Sequence, residues 1–234
     1  MTSSWRRPLD RWPYDRAVTS DQASDQHEHW VRTFAAKQDF LGSEPSETGR
    51  AALSAFLAAS AREIVELGPG QGRDSLLFAS AGLKVTALDY AETGLAQIRE
   101  KAQSAGFAGS ITTVVADVRE PLPLATAAVD GVYAHMLLCM ALSTQQVVSL
   151  VAEVHRVLRP GGLFYYTARN TSDAHFGTGS AHGDDQFEMG GFIVHFFGLE
   201  LIERLADGFK ILELADFEEG RLPRRLSAVT MARI

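Results

Sequence analysis

An acidic residue followed by three glycines at alternate positions, Glu66, Gly68, Gly70 and Gly72, interrupts the apolar run of "IVELGPGQGRD". Glycines that close a strand and open a helix bring backbone amides close to a ligand, because no Cβ stands in the way. The dinucleotide fingerprint G-x-G-x-x-G would need a glycine at position 73, which is Arg73. The third glycine comes one residue early, and that departure argues against a nicotinamide dinucleotide. Two more acids stand downstream, Asp89 after "KVTAL" and Asp117 after "TTVVA". A carboxylate at the first place can accept both hydroxyls of a ribose; one at the second can accept from an adenine amino group.

Such groups work together only if the strands that carry them end along one edge. From Ile64 the pattern alternates: "EIVEL" reads as a strand, "GRDSLLFASAG" as a helix closed by Gly82, "KVTAL" as a strand and "AETGLAQIREKAQSAG" as a helix closed by Gly106. "SITTVVAD" and "AVDGVYAH" are further strands, "TQQVVSLVAEVHRVL" a helix, and "GGLFYYTAR" a fifth strand after a Pro-Gly-Gly turn. This alternation predicts βαβ crossovers and a parallel sheet covered on both faces. "LELIERLADG" then reads as a helix, and "KILELADFEEG" with "RRLSAVTMARI" as a hairpin at one edge of the sheet. Upstream, Ser46, Glu47 and Thr48 mark the start of a helix through "RAALSAFLAASA".

The glycine motif, the two spaced acids and "LRPGG" together resemble the class I S-adenosylmethionine-dependent methyltransferases, with the match running from about residue 64 to 169. The resemblance implies an α/β fold, a Rossmann-like doubly wound sheet of seven strands whose last strand is antiparallel, with S-adenosylmethionine as cofactor across the carboxyl ends of the first strands. It implies that Gly68, Gly70 and Gly72 approach the methionine part and ribose. Asp89, with Tyr90 beside it, would bind the ribose side, Asp117 and Val118 would bracket the adenine, and Glu66 would set the loop.

Methyl transfer leaves most of the chemistry to the cofactor; the protein aligns the acceptor, excludes water and, where needed, takes a proton. His135 follows the fourth strand and is a candidate base or acceptor-positioning group, and Arg169 follows the fifth and is a candidate partner for an acceptor carboxylate. Residues 170–195 have little periodicity and read as an ordered lid, anchored by Phe187, Met189, Phe192 and Ile193 and carrying His175, His182 and His195 toward the acceptor. These histidines with Asp184, Asp185 and Glu188 match no compact ligand spacing, so no metal is expected. Residues 1–60 read as an amino-terminal helical cap that brings Trp30, Phe34 and Phe40 over the pocket, and residues 61–234 as the transferase domain.

Composition narrows the acceptor. A net charge of −7 over 234 residues disfavours a broad nucleic-acid surface, and the clusters Arg6, Arg7, Arg11, Arg16 and Arg221, Arg224, Arg225 read as solvated charge. The fourth strand runs into "YAHMLLCMALS", without the Asn/Asp-Pro-Pro-Tyr/Phe signature of base-methylating enzymes. Cys139 is the single cysteine, so there is neither an internal disulfide nor the thiolate set expected for arsenite methylation. No window approaches the ~20 apolar residues of a membrane span, and no signal-peptide core is visible. The expectation is a cytoplasmic monomer or homodimer that methylates a small molecule at N, O or S, with no nucleic-acid or membrane partner. Competing readings are a cofactor-binding protein without transfer activity, acting as sensor or partner subunit, and an aminopropyl transferase of related fold.

Overall fold

The computed structural model describes residues 22–220 and 224–234, with side chains from Gln26 onward. Arg6, Arg7, Arg11, Arg16 and Arg221, and positions 1–21 of the expected cap, lie outside the described residues.

Helix α1 (Gln22–Ala36) is followed by α2 (Glu47–Ala58), where the Ser46 hydroxyl accepts the Gly49 N–H and caps the first turn. The alternating body then runs β1 (Glu63–Leu67), α3 (Arg73–Ser80), β2 (Lys84–Asp89), α4 (Glu92–Ser104), β3 (Ile111–Val115), β4 (Val129–His135), α5 (Thr144–Val157) and β5 (Leu158–Arg169). A reciprocal capping box between Ser143 and Gln146 starts α5. The expected Pro-Gly-Gly turn is absorbed into β5: its ladder with β4 slips between the Val129–Leu158 and Gly131–Leu163 pairs, and Gly161 takes up the slack at φ 78°. Three short strands follow, β6 (Ser180–Gly183), β7 (Gln186–Met189) and β8 (Phe192–His195), then α6 (Leu199–Leu205), β9 (Phe209–Glu219) and β10 (Arg224–Arg233).

The main sheet has seven strands in the order β3-β2-β1-β4-β5-β10-β9. The first five are parallel, and β10 inserts antiparallel between β5 and β9, so the closing hairpin fills the edge with its last strand reversed. The two faces alternate residue by residue. Tyr133 and Tyr165 join Phe56, Phe78 and Ile98 on one side, while Val132, Phe164 and Tyr166 join Val147, Leu150 and Ile202 on the other. Each fully buried aromatic here contributes on the order of 1.5–3 kcal/mol of transfer free energy.

Register aligns the carboxyl ends. Leu67 pairs with Leu88 and Ala134, Asp89 with Val115, and His135 with Thr167, so the chain leaves β1, β2 and β4 along one edge. Strand order reverses between β1 and β4, and a crevice opens outside such a switch point.

Residues 170–195 are more regular than their sequence promises. β6, β7 and β8 form an antiparallel meander with two-residue connections: Asp184 and Asp185 have φ 49° and 56°, Gly190 and Gly191 φ 58° and 81°. Two consecutive positive φ angles make the turn twist that hairpin strands require. The "GG" between "QFEM" and "FIVH" was the readable signal; "DD" is a weaker one, because aspartate adopts this conformation less readily than glycine.

Candidate active site

The crevice at the switch point is one cavity of about 510 Å³. The glycine loop, Asp89, Tyr90, Asp117 and Val118 line one part; His135, Met136, Met140 and Arg169 line another. Over these lie Trp30 from α1, Phe40 from the segment after it, and Phe192 from the lid.

The loop earns its geometry from Glu66 and Asp74 beneath it. Glu66 is buried and accepts the Ser75 hydroxyl from α3, and burial together with the nearby Asp74 charge holds its carboxyl well above the usual range. Asp74 accepts the Ser46 N–H and hydroxyl, both at 2.7 Å, and the Tyr133 hydroxyl at 3.1 Å. Gly68, Gly70 and Gly72 all have positive φ (66°, 56° and 84°). A Cβ on Gly72 would lie 2.6 Å from Ile98 Cγ1, which places this glycine in the packing of α3 against α4; Gly68 and Gly70 face the cavity.

Asp89 ends β2 with Oδ1 accepting the Ala91 N–H at 2.9 Å and Oδ2 the Gly70 N–H at 3.3 Å. Burial raises its pKa to about 6 against these backbone bonds, and each oxygen keeps a lone pair for another donor. Tyr90 stacks on His27 of α1 with centroids 4.0 Å apart. Asp117 is gripped by Arg119, whose Nε lies 2.9 and 3.0 Å from its two oxygens, and this pairing holds the carboxyl below the usual range.

His135 is the meeting point of several elements. Its Nδ1 lies 2.8 Å from Thr167 Oγ1 on β5 and 3.2 Å from Thr48 Oγ1 on α2, and its Nε2 lies 3.5 Å from Glu219 Oε1 at the end of β9. Glu219 escaped the sequence reading because it is 84 positions from His135 and sits in an ordinary acidic stretch; only sheet pairing brings the two together. Thr48 and Thr167 were missed for the same reason.

The remaining expected acceptor groups divide. Trp30 and Phe40 line the cavity, their rings 6.4 Å apart. Arg169 lines it as well, but its guanidinium is already bound to Asp173 and lies over the Phe196 ring at 5.0 Å, so it does not offer the open fork expected of a carboxylate partner. His175 packs behind Arg169, with Nδ1 2.8 Å from Nη2, and does not line the cavity. His182 pairs with Glu188 at 2.9 Å between β6 and β7, away from the cavity wall. His195 is fully buried, donates from Nδ1 to the Leu142 carbonyl at 2.9 Å, and has its pKa lowered by burial. Side chains alternate along β8, so Phe192 and Val194 face the cavity and His195 faces away. Among the described residues no group of three or more His, Cys, Asp and Glu could hold a metal ion, and no helix is long and apolar enough to cross a membrane.

Two hydrogen bonds tie the roof together. The Ile193 N–H donates to Gln26 Oε1 at 3.1 Å, tying α1 to the lid, and the His195 N–H donates to the Cys139 carbonyl at 3.0 Å, tying the lid to the segment after β4.

Comparison with known proteins accords with this arrangement. The family model for a methyltransferase domain matches residues 64–162. None of the curated proteins matches the chain. Among solved structures, the chain resembles the 1,6-didemethyltoxoflavin-N1-methyltransferase of Burkholderia thailandensis, crystallised with 1,6-didemethyltoxoflavin and S-adenosylhomocysteine (TM-score 0.70, 20% identity, 93% of this chain and 92% of that one). It also resembles the N-methyltransferase NodS of Bradyrhizobium japonicum in complex with S-adenosylhomocysteine (0.65, 11% identity, 91% and 99%) and the CcbJ methyltransferase of Streptomyces caelestis (0.65, 21%, 91% and 96%). The residues at the switch point fit S-adenosylmethionine: a buried carboxylate with open lone pairs at the end of β2, cavity-facing glycines at the end of β1, and an acid at the end of β3. Residues 64–162 thus match the model of a methyltransferase domain, within a Rossmann-like seven-stranded fold that the chain shares with these solved structures.

Proposed function

We propose that the protein transfers the methyl group of S-adenosylmethionine to a small molecule held between His135 and the roof. The observation that carries this reading is the roof itself: α1 and residues 170–195, joined through Gln26 and Ile193, cover one side of a cavity of about 510 Å³, within the usual range for small-molecule sites. A macromolecular acceptor would need an open approach to His135. In this reading the described part of the cap, residues 22–60, covers the transferase domain that begins at residue 61, and residues 170–195 add to the cover.

The cofactor supplies an electrophilic methyl on a sulfonium, and the chain's groups bind, orient and exclude water. Asp89 takes the ribose hydroxyls, Gly68 and Gly70 leave room for the methionine part, and Tyr90, Asp117 and Val118 border the adenine. Glu66 and Gly72 act through the loop, one by its bond to Ser75 and the other by packing on Ile98. Trp30, Phe40 and His135 border the acceptor, and Arg169 stiffens its wall.

Calorimetric titration with S-adenosylmethionine, S-adenosylhomocysteine and NADH tests the cofactor half; the first two bind and the third does not. Incubation with pooled small-molecule acceptors then tests transfer, read as S-adenosylhomocysteine released. Cofactor binding without release from any pool would favour the sensor or partner-subunit reading instead.

A further inference from the structure

The neighbours of His135 draw attention to a different residue at the acceptor face. Thr167 is fully buried, and its Oγ1 accepts the Met136 N–H at 3.0 Å and lies 2.8 Å from His135 Nδ1. With one lone pair engaged by that N–H, the hydroxyl can donate to Nδ1, and donation is the arrangement that leaves a proton on Nε2 for Glu219. A neutral imidazole that accepts at Nδ1 carries its own proton on Nε2. Nε2 faces Glu219, with Oε1 3.5 Å away, and such contacts shorten when an active site fills. In that tautomer His135 is a donor on its cavity side, and Glu219 is the group it faces.

Glu219 is the acceptor at this spot. The His135 bond above all, with the Arg73 and Arg224 charges, holds its carboxyl below the usual range despite partial burial. Across the β9–β10 ladder it is paired directly with Arg224, so both side chains leave the sheet on the same face, and both line the cavity. Next to this pair of charges the wall is apolar: Met136, Met140, Trp30 and Phe192, with the last two rings 6.0 Å apart and edge to face.

Resting on the methyltransferase reading above, we propose that Glu219 and Arg224 together read one edge of the methyl acceptor. The carboxylate takes an N–H or O–H, the guanidinium takes the neighbouring carbonyl or anionic oxygen, and His135 is the positioning residue for Glu219. The acceptor class is a small molecule with an apolar body and a lactam-type N–H/C=O edge. During transfer Glu219 receives the acceptor's proton while the nitrogen pair forms the new N–CH3 bond and the S–CH3 pair returns to sulfur. The proton then passes to water, so the sulfonium charge leaves as that proton.

The test uses the full chain loaded with S-adenosylhomocysteine and two fluorescent probes, lumazine and 1,3-dimethyllumazine, which share a ring system but differ in their N–H donors. Wild type binds lumazine about tenfold more tightly, the scale of a charge-assisted hydrogen bond. In Glu219→Gln that preference falls below about threefold, while affinity for S-adenosylhomocysteine stays within about twofold. Thr167→Val and His135→Asn weaken the preference in the same direction, a readout that loss of packing alone does not give. Equal binding of the two probes, binding of neither, or a preference unchanged in Glu219→Gln would overturn the proposal. If wild type failed to bind S-adenosylhomocysteine, the methyltransferase reading would fall with it; binding of that product without any lumazine preference removes only the present inference.

Discussion

Arg169 and Asp173 form a bidentate ion pair in the cavity wall, their side chains only 4% and 1% exposed. Arg169 Nε donates to Asp173 Oδ2 at 3.0 Å and Nη2 donates to Oδ1. Asp173 also accepts the N–H groups of His175 and Arg225, both at 2.9 Å, so one carboxylate joins the end of β5, the start of the lid and β10. Burial alone would raise its pKa, but the Arg169 bond and these backbone donors outweigh it and hold the carboxyl low. The pair is a staple of the wall.

Removing one partner leaves an uncompensated buried charge. Asp173→Ala is expected to destabilise the fold by about 3–5 kcal/mol. Urea unfolding of variant and wild type measures this; a loss below about 1 kcal/mol would mean that water reaches Arg169 readily.

Asp89→Ala is expected to weaken S-adenosylmethionine binding by ~1–3 kcal/mol, the cost of a lost buried partner. Circular dichroism checks that the variant is folded. Unchanged affinity in a folded variant would remove Asp89 from the ribose site.

The raised pKa of Asp89, about 6, gives a pH dependence with two opposite signs. The folded state holds this proton more tightly than the unfolded chain, so the group's contribution to stability falls as pH rises from its ordinary value through about 6. With Asp89 accepting the ribose hydroxyls, as proposed, cofactor binding uses the ionised form and moves the other way. Affinity for S-adenosylhomocysteine should drop up to about tenfold from pH 7 to pH 5, and Asp89→Asn should flatten that component. An equal drop in the variant would assign the titration to another group.

Gly72→Ala combines a positive φ with a Cβ 2.6 Å from Ile98 Cγ1, whereas Gly82, at φ 89°, has nothing within 4 Å of its Cβ position. Both substitutions cost about 1–2 kcal/mol for the left-handed backbone, and Gly72→Ala should cost a further 1–3 kcal/mol, approximately, for overpacking. Thermal midpoints that fall equally would show that Ile98 moves aside freely.

His135→Ala should lower turnover of an acceptor found by screening while leaving cofactor affinity nearly intact, since the ring contacts Thr48, Thr167 and Glu219. A matching loss of S-adenosylmethionine affinity in calorimetry would move His135 into the cofactor site.

Local chemistry made much of this protein legible from its sequence. Three alternating glycines, the helix-closing Gly82 and Gly106, and apolar runs ending at Asp89 and Asp117 depend on near neighbours, and they determined the α/β alternation and the site's edge. The hairpin of β9 and β10 was readable too, while the reversal of β10 against the parallel strands came from the family resemblance. Residues 170–195 were harder: strands of four residues carry too little periodicity to read, and while "GG" signals one turn, the other emerges only from the positive φ angles of Asp184 and Asp185.

Distance in the chain explains the rest. His175, His182 and His195 looked alike as lid histidines, yet the pleat of β8 turns His195 inward, and Glu188 and Arg169 take the other two as neighbours. Arg169 looked open until Asp173 closed on it. Glu219, Arg224 and Thr167 carry no local signal, because their meaning comes from cross-strand pairing and from a hydrogen bond to a residue on another strand. Sequence determined which backbone conformations were available and where the strands would end. Which side chains face one another across the cavity was decided by packing, since contacts between distant residues form only once the sheet has set its register.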